Sequence, residues 1–361
     1  MEHFYAMIMA GGGGKRLWPM SRRKTPKQLL PLVGEDSMFK VSVDRLTPLF
    51  PPERIYVVTG EVYVDALRAD APDIPEANFI VEPYGKDSGP AAALGMIVIQ
   101  QRDPEAVVAI LTADHHIANM EKFRNVLAAA CDIAVEQDFV VTLGISPSHP
   151  STGFGYIQRG THLGDQRDFN YYLSVGFHEK PRADLAVTYL KSGNYSWNSG
   201  MFIWTAKRAM AEFQRQRPAM HRHLMKVGHV VDTPQYPDVL AAEWENIEKI
   251  SLDYAVMENA EQMCVIPIDI GWSDVGSWGA LYDILDMDSA GNAFQGKGNN
   301  DVTIDTQETL IYSNRLVVTV GVRDIVVIDT EDAVLICHKD RTQEVRDVVK
   351  ALEAQNKDHY L

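Results

Sequence analysis

The sequence predicts an α/β fold, and two patterns in its 361 residues carry that prediction. Short apolar runs alternate with amphipathic stretches through the first half of the chain, in the order strand, helix, strand. This alternation is typical of a Rossmann-like, mostly parallel sheet with helices on both faces. The last part of the chain contains short β runs separated by turns. We therefore expect an α/β domain at residues 1–285 and a small β-rich domain at residues 286–361.

Five apolar runs in the first half are expected to be strands. They are FYAMIMA from Phe4, RIYVVTG from Arg54, ANFIVEP from Ala77, AVVAILTAD from Ala106 and DFVVTLGI from Asp138. The intervening stretches EVYVDALRADA, GPAAALGMIVIQQ and EKFRNVLAAACDIAVE have helical patterns. Ligands of parallel sheets bind beyond the carboxyl ends of the strands. A glycine-rich loop after the first strand and Asp114 after the fourth lie at such ends.

The pattern changes twice further along the chain. From about Gly153, polar loops carry short strands such as FGYIQRG and YLSVGFHEKP, which we expect to build a second wall of a ligand site. Past Leu285, the runs DVTID, TLIYS, LVVTVG, DIVVID and AVLICHK predict short strands, and their even spacing is compatible with a short β-solenoid. Apolar residues at helical spacing from Val345 to Leu352 predict a terminal helix after a cap at Asp340.

Charge and composition exclude several classes of partner. The net charge is −15, from 34 basic and 49 acidic residues, so we expect neither nucleic acid nor an anionic membrane as a partner. No apolar run is long enough to cross a bilayer, and we expect no secretory signal at the N-terminus. Three cysteines without metal-binding spacing fit a reducing, cytoplasmic location. The sequence does not exclude a homodimer.

The stretch MIMAGGGGKRLWPMSRRKTPKQLLPL, which begins at Met7, departs from this acidity. No acidic residue occurs between His3 and Gly34, and four glycines precede six basic residues. Glycine-rich loops with nearby cations bind phosphate groups. The stretch does not fit the P-loop, since Arg16 follows Gly14-Lys15, and no frame of it fits the G-x-G-x-x-G fingerprint.

What remains is the pattern A-G-G-x-G-x-R-L-x-P-x-S followed by P-K-Q, and it resembles the signature loop of the sugar-nucleotide pyrophosphorylases. These are nucleotidyltransferases that act on sugar 1-phosphates. The resemblance implies a fold of the nucleotide-diphospho-sugar transferase type and a loop that holds nucleotide phosphates. It assigns nucleotide binding to Ala10, Gly11, Gly12, Gly13, Gly14, Lys15, Arg16 and Lys27. Arg16 and Lys27 would neutralise the phosphates that leave as pyrophosphate.

Two aspartates resemble the metal ligands of this family. Asp114 lies in LTADHH, and Asp274 lies in GWSDVGSW. Mg²⁺ prefers oxygen ligands and needs only one or two protein carboxylates when substrate phosphates supply the rest. The resemblance therefore implies Mg²⁺ held by these two residues. A zinc site at His115 and His116 is not expected, because adjacent residues on an extended chain point to opposite faces.

Further motifs resemble the sugar side of the same family. In FHEKP, Lys180 would hold the phosphate of the sugar 1-phosphate, and Glu179 would accept hydrogen bonds from sugar hydroxyls. Asn198 in WNSGMFIW offers an amide to a hydroxyl, and Gly155 in TGFGYIQRG belongs to the sugar wall. The motif ISLDYAVME adds Asp253 as a second-rank candidate.

The motif set is most similar to the branch of the family that joins GTP to mannose 1-phosphate. The segment EPYGKDSGPAA lies where this branch reads E-P-x-x-x-N-T-A-P-A and lines the base pocket, which implies roles for Glu82, Pro83 and Gly89. Residues 87–89 replace Asn-Thr-Ala, and this departure weakens the prediction of guanine. Some bacterial relatives continue into a sugar-phosphate isomerase domain, which we do not expect here.

The implied reaction is an in-line attack by a sugar-phosphate oxygen on the α-phosphorus of the nucleotide. Catalysis would rest on Arg16, Lys27 and Lys180, because neutralisation of charge and alignment are the main requirements. Two alternatives remain open. The chain could use another nucleotide or hexose 1-phosphate, or it could be a non-catalytic sensor of sugar nucleotides with the same fold.

Overall fold

The computed structural model describes residues 1–296 and 302–361, and these form two compact units. Unit 1 contains Met1–Gly11, Ser42–Ala113 and Ile117–Trp272; unit 2 contains Gly12–Val41, Asp114–His116 and Ser273–Leu361. Unit 2 thus includes the glycine loop as well as the C-terminal part of the chain, a grouping that the sequence did not suggest. Asp301, the first residue of the predicted run DVTID, lies outside the described residues.

The elements are numbered along the chain. The strands are β1 Phe4–Ala10, β2 Ile55–Gly60, β3 Phe79–Glu82, β4 Val107–Thr112, β5 His116–Ile117, β6 Val140–Ile145, β7 Tyr156–Gln166, β8 Phe169–His178, β9 Tyr195–Thr205, β10 Met263–Ile268, β11 Trp272–Ser273, β12 Ala293–Gln295, β13 Val302–Ile304, β14 Leu310–Tyr312, β15 Val318–Val320, β16 Ile325–Asp329 and β17 Val334–His338. The α-helices are α1 Met38–Asp44, α2 Val64–Asp70, α3 Ser88–Arg102, α4 Met120–Gln137, α5 Ala183–Ser192, α6 Ala206–Gln216, α7 Pro218–Gly228, α8 Tyr236–Trp244, α9 Leu252–Ala255, α10 Trp278–Tyr282 and α11 Val345–Ala354.

Unit 1 is built on a sheet whose strand order is β3-β2-β1-β4-β9-β6-β10-β8-β7. The pairs β3–β2, β2–β1, β1–β4 and β6–β10 are parallel, as the alternation of strands and helices predicts. Strand β9 runs antiparallel to both β4 and β6, and β7 and β8 form an antiparallel pair. The mostly parallel central sheet is therefore confirmed, and the antiparallel strands arise mainly from the polar region that begins near Gly153.

The central strands of unit 1 are buried on both faces, which explains their continuous apolar runs. Helix α3 packs closely on β1, because a β-carbon placed on Gly95 would lie only 2.0 Å from the sulfur of Met7. The helix is buried from Gly89 to Ile99. Close packing of this helix fixes its N-terminus next to the carboxyl end of β3.

The C-terminal part of unit 2 forms a solenoid-like stack, as the evenly spaced β runs predict. Strands β12, β14 and β16 pair in parallel, and β13 pairs in parallel with β15. Residue 293 pairs with residue 310, residue 302 with residue 318 and residue 310 with residue 326, so one turn of the stack advances the chain by 16 or 17 residues. Leu310 and Val326 are fully buried at equivalent positions of successive turns. Strand β17 closes the sheet as an antiparallel partner of β16.

The residues that follow the glycine loop share one core with this stack. Leu17, Trp18 and Leu32 are buried in the same cluster as Trp278 and Leu310. The terminal helix is confirmed, but the predicted cap at Asp340 is wrong. A 3₁₀ helix over Lys339–Glu344 comes first, and α11 begins at Val345 without a side-chain cap. Within the described residues, no helix has the length and apolar character needed to cross a membrane.

Candidate active site

The glycine loop leaves the carboxyl end of β1 in a conformation that depends on glycine. Gly12 and Gly14 have φ angles of 100° and 59°, in the left-handed region that residues with a side chain rarely adopt. A β-carbon on Gly14 would also lie 2.5 Å from the β-carbon of Lys27. The absence of a side chain at position 14 therefore allows Lys27 to pack directly against the loop.

Lys27 connects the loop to both predicted metal ligands. Its side chain is buried, with only 8% exposed, and Nζ donates to Oδ2 of Asp114 at 2.8 Å. The same Nζ donates to the main-chain carbonyl of Asp274. Burial is the largest single influence and acts to raise the pKa of the Asp114 carboxyl, but the charges of Lys27 and His115 and the hydrogen bond from Lys27 together hold that pKa below its ordinary value. One ammonium thus unites two segments that are 160 residues apart in sequence (274 − 114).

Asp274 lies on a tight and strained turn. Its Oδ1 accepts a hydrogen bond from the main-chain N–H of Gly276 at 3.1 Å, and a β-carbon on Gly276 would lie 2.6 Å from Oδ2. The buried Val275 between them has a φ of 43°, which is costly for a β-branched residue. Backbone strain of this kind concentrates at functional sites, and here it fixes the direction of the carboxylate.

The donors around Lys27 suit a hard divalent cation. Asp114 and Asp274 provide oxygen atoms only, which is the chemistry that Mg²⁺ prefers. Within the described residues, no group of three or more histidines, cysteines or carboxylates is placed to hold a metal ion. Mg²⁺ needs only one or two protein carboxylates where substrate phosphates supply the remaining oxygen ligands.

Two loop cations that the sequence assigns to the nucleotide have protein partners in this structure. Nζ of Lys15 donates to Glu353 of α11 at 2.9 Å, and Nη1 of Arg16 donates to Gln343 at 2.9 Å. Both side chains lie at the surface, so these contacts are individually weak and easily exchanged. Sequence reasoning missed Gln343 and Glu353, because no local pattern marks a contact over more than 300 residues.

The predicted sugar residues Glu179, Lys180 and Gly155 cluster in unit 1. Nζ of Lys180 donates to Oε1 of Glu179 at 2.6 Å, and a β-carbon on Gly155 would lie 2.5 Å from Oε2 of Glu179. Burial acts to lower the pKa of Lys180, but the hydrogen bond and the charge of Glu179 raise it overall. Lys180 also has a φ of 45°, so left-handed backbone occurs at this predicted site residue as well as at Gly12 and Gly14.

Asn198 and Asp253 complete this cluster. Nδ2 of Asn198 donates to Oδ1 of Asp253 at 2.8 Å, and Oδ1 of Asn198 accepts from the N–H of Gly200 at 2.9 Å. The amide is thereby fixed in one orientation. Burial, followed by the charge of Glu179, raises the pKa of Asp253 to about 6. Asp253, the weaker candidate from the sequence, therefore contacts Asn198, which the sequence assigns to the sugar site.

The segment assigned to the base begins at the end of β3. Glu82 is buried, and burial raises the pKa of its carboxyl to about 7. Asp87 caps α3 by accepting a hydrogen bond from the N–H of Ser88 at 2.8 Å. Gly89 must be small, because a β-carbon there would lie 2.7 Å from the carbonyl oxygen of Ile250. Oγ of Ser88 accepts a hydrogen bond from the N–H of Leu252 at 2.9 Å, so the three residues that depart from the expected pattern all have local structural roles.

The predicted site residues fall into two groups, one in each unit. Unit 1 contains Ala10, Gly11, Glu82, Pro83, Gly89, Gly155, Glu179, Lys180 and Asn198. Unit 2 contains Gly12, Gly13, Gly14, Lys15, Arg16, Lys27, Asp114 and Asp274. The second group combines backbone N–H groups, cations and two carboxylates, which together suit a phosphate chain with its metal ion.

A parallel sheet with a glycine-rich, cationic loop at its carboxyl edge identifies a class of α/β proteins that bind phosphorylated ligands. Comparison with known families is more specific. The family model described as nucleotidyl transferase matches residues 5–290, and the model of the MannoseP isomerase/GMP-like beta-helix domain matches residues 299–352. The chain belongs to the nucleotidyl transferase family.

Similar proteins cover almost the whole chain. The mannose-1-phosphate guanylyltransferase of Escherichia coli strain K12 is 36% identical over 360 residues, which span 98% of this chain and 74% of that protein. The xanthan biosynthesis protein XanB of Xanthomonas campestris pv. campestris (strain ATCC 33913) is similar to the same extent. A crystal structure described as mannose-1-phosphate geranyltransferase from Thermus thermophilus is 35% identical, with a TM-score of 0.87, and the match covers 97% of this chain and 99% of that one.

Proposed function

We propose that the protein transfers a guanylyl group from GTP to α-D-mannose 1-phosphate and releases GDP-mannose and pyrophosphate. The observation that carries this proposal is the junction of Lys27 with Asp114 and Asp274 beside the glycine loop. It combines the cation that a departing pyrophosphate needs with two carboxylates for a metal ion. The similarity to mannose-1-phosphate guanylyltransferases supports the choice of substrates.

The chain's own residues align and neutralise anions and do not form a covalent intermediate. An oxygen of the sugar phosphate, already an anion, attacks the α-phosphorus of the nucleotide in line with the departing pyrophosphate. Loop N–H groups, Arg16 and Lys27 stabilise the charge that develops on the leaving group. Lys180 holds the attacking phosphate, while Glu179 and Asn198 hold sugar hydroxyls.

Asp114 and Asp274 are the residues that would hold Mg²⁺. A metal ion bound there would supply positive charge to neutralise the phosphates of the two substrates. Lys27, which donates to Asp114 at 2.8 Å, keeps that carboxylate ionised and therefore able to bind the ion. Arg16 exchanges Gln343 for a phosphate oxygen when the nucleotide binds. Its exposed position makes this exchange inexpensive in free energy.

We also propose that residues 1–285 form the catalytic domain and residues 286–361 the small β-rich domain. The two family matches, which end at residue 290 and begin at residue 299, support this division.

The test is pyrophosphate release by the purified protein with Mg²⁺ across a panel of nucleotides and sugar phosphates. We expect GTP to exceed ATP and UTP by at least about tenfold in kcat/KM, a cautious figure for one or two hydrogen bonds to the base. Mannose 1-phosphate should exceed glucose 1-phosphate. A preference for UTP or dTTP with glucose 1-phosphate would overturn the substrates but keep the reaction class. Binding without pyrophosphate release from any pair would favour a sensor.

A further inference from the structure

Three cations of the acid-free segment form ion pairs with carboxylates near the C-terminus. The pairs are Lys15 with Glu353 at 2.9 Å, Arg22 with Asp332 at 2.7 Å and Arg23 with Asp358 at 2.8 Å. Both partners of each pair belong to unit 2. The segment itself has no acidic residue between His3 and Gly34, so the carboxylates have to come from another part of the chain. Of the three cations, Lys15 is the one that the sequence assigns to nucleotide binding.

Helix α11 brings Glu353 to the glycine loop. Val345, Val349 and Glu353 are spaced four residues apart, so their side chains lie on one face of the helix. The two valines are buried in the core cluster that also contains Leu17. This docked face fixes the position of the Glu353 carboxylate beside Lys15, which lies just before Leu17 in the chain.

Lys15 differs from Lys27 in how firmly its ammonium is held. The Lys27 side chain is only 8% exposed and donates to Asp114, whereas the Lys15 side chain is 61% exposed. An ion pair at the surface is weak and is screened by salt, so a phosphate group can displace the carboxylate of Glu353. While the pair is intact, however, that carboxylate neutralises the positive charge that would attract a phosphate.

We propose that Glu353 lowers the affinity of the glycine loop for the nucleotide by holding Lys15 in the free protein and releasing it when the triphosphate binds. This inference rests on the proposed function and identifies a residue outside the loop that sets its affinity for nucleotide. Part of the binding free energy is used to separate the ion pair, so the affinity is lower than it would be with an unpaired Lys15. Glu353 is a positioning residue, because it acts on the nucleotide through Lys15.

The experiment measures the Kd of GTP by isothermal titration calorimetry, with Mg²⁺ and without sugar phosphate, so that no product forms. We expect the Kd of Glu353→Gln to be about threefold lower than that of the unmodified protein at low salt, and the difference to shrink at about 0.5 M salt. Glu353→Ala removes the same carboxylate and should improve the affinity equally. The matched control is Asp347→Asn, which removes one negative charge from the same helix. Asp347 pairs with Lys350 at 2.8 Å, so this variant should bind GTP as the unmodified protein does.

A Lys15→Met background decides whether the carboxylate acts through Lys15. In that background, Glu353→Gln should leave the Kd unchanged, and an improvement as large as that seen with Lys15 present would overturn the proposal. An unchanged Kd in Glu353→Gln with Lys15 intact would also overturn it, and so would a weaker affinity, which would indicate that the pair orders the loop for binding. If the unmodified protein does not bind GTP, the proposed function fails as well, and this result is distinct from a measurable Kd that does not depend on Glu353.

Discussion

Replacement of Gly14 by alanine should destabilise the protein by about 3 kcal/mol, from two separable causes. The left-handed backbone at position 14, with φ at 59°, costs roughly 1–2 kcal/mol for a residue with a β-carbon. The new methyl group would also lie 2.5 Å from the β-carbon of Lys27, an overpacking that costs about 1–3 kcal/mol. Displacement of Lys27 should in addition reduce turnover, because its ammonium holds Asp114 and Asp274 together.

Alanine substitutions at the two preceding glycines separate the backbone contribution from the packing contribution. Gly12 has a φ of 100° but open space, so alanine there should cost only the backbone part, roughly 1–2 kcal/mol. Gly13 has open space and no left-handed φ, so alanine there should be neutral or slightly stabilising, by about 0.4–1 kcal/mol. Urea unfolding without nucleotide, followed by tryptophan fluorescence, ranks the three variants. If Gly14→Ala were no less stable than Gly12→Ala, the close packing of Lys27 on the loop would be refuted.

Three further predictions concern the site. Asp114→Asn and Asp274→Asn should each lower kcat at least about 10²-fold, because each removes a negative charge that would bind the metal ion. The circular dichroism spectrum should stay unchanged, because the substitutions do not alter packing. Near-normal turnover of both variants at low Mg²⁺ would show that these residues do not bind the metal ion. Lys180→Ala should mainly raise KM for the sugar phosphate, about 10- to 100-fold, whereas Arg16→Ala should mainly raise KM for the nucleotide. If Arg16→Ala changed only the KM for the sugar phosphate, our assignment of the two residues would be wrong. Burial raises the pKa of Glu82 from 4.5 to about 7, so the folded state holds a proton that the unfolded chain releases, and stability falls as pH rises through that window. Glu82→Gln should therefore match the unmodified protein near pH 4 and exceed it by up to about 3 kcal/mol at pH 8 in urea unfolding; the same difference at both pH values would contradict this.

Local sequence patterns predicted the elements that local forces determine. The apolar runs of β1, β2 and β4 are continuous because these strands are buried on both faces, and the 3.6-residue period of α11 follows from its single buried face. The cap at Asp340 was wrong, since the preceding residues form a 3₁₀ helix and the α-helix starts five residues later, at Val345. Boundaries of this kind depend on packing as well as on capping residues.

The remaining features depend on contacts between distant segments. The antiparallel position of β9 between β4 and β6 cannot be predicted from local sequence patterns, because its pairing partners are far away in sequence. The ion pair of Lys15 with Glu353 spans 338 residues. The WNSGMFIW motif makes Asn198 a candidate, whereas its hydrogen bond to Asp253 is evident only in the folded chain. Oε2 of Glu82 is buried and has no hydrogen-bond donor among the described residues, which can be recognised only from the three-dimensional surroundings of the side chain.

Product analysis in a single competition reaction tests the proposed activity most directly. The protein, Mg²⁺ and equal concentrations of GTP, ATP, UTP and dTTP are incubated with equal mannose 1-phosphate and glucose 1-phosphate, and the sugar nucleotides formed are separated and identified by mass and by comparison with standards. We predict GDP-mannose as the main product, formed in proportion to the pyrophosphate released and lost in Asp114→Asn. A different nucleotide sugar as the main product would contradict the assigned substrates, and the absence of any sugar nucleotide would contradict the assignment of this protein as an enzyme of guanylyl transfer.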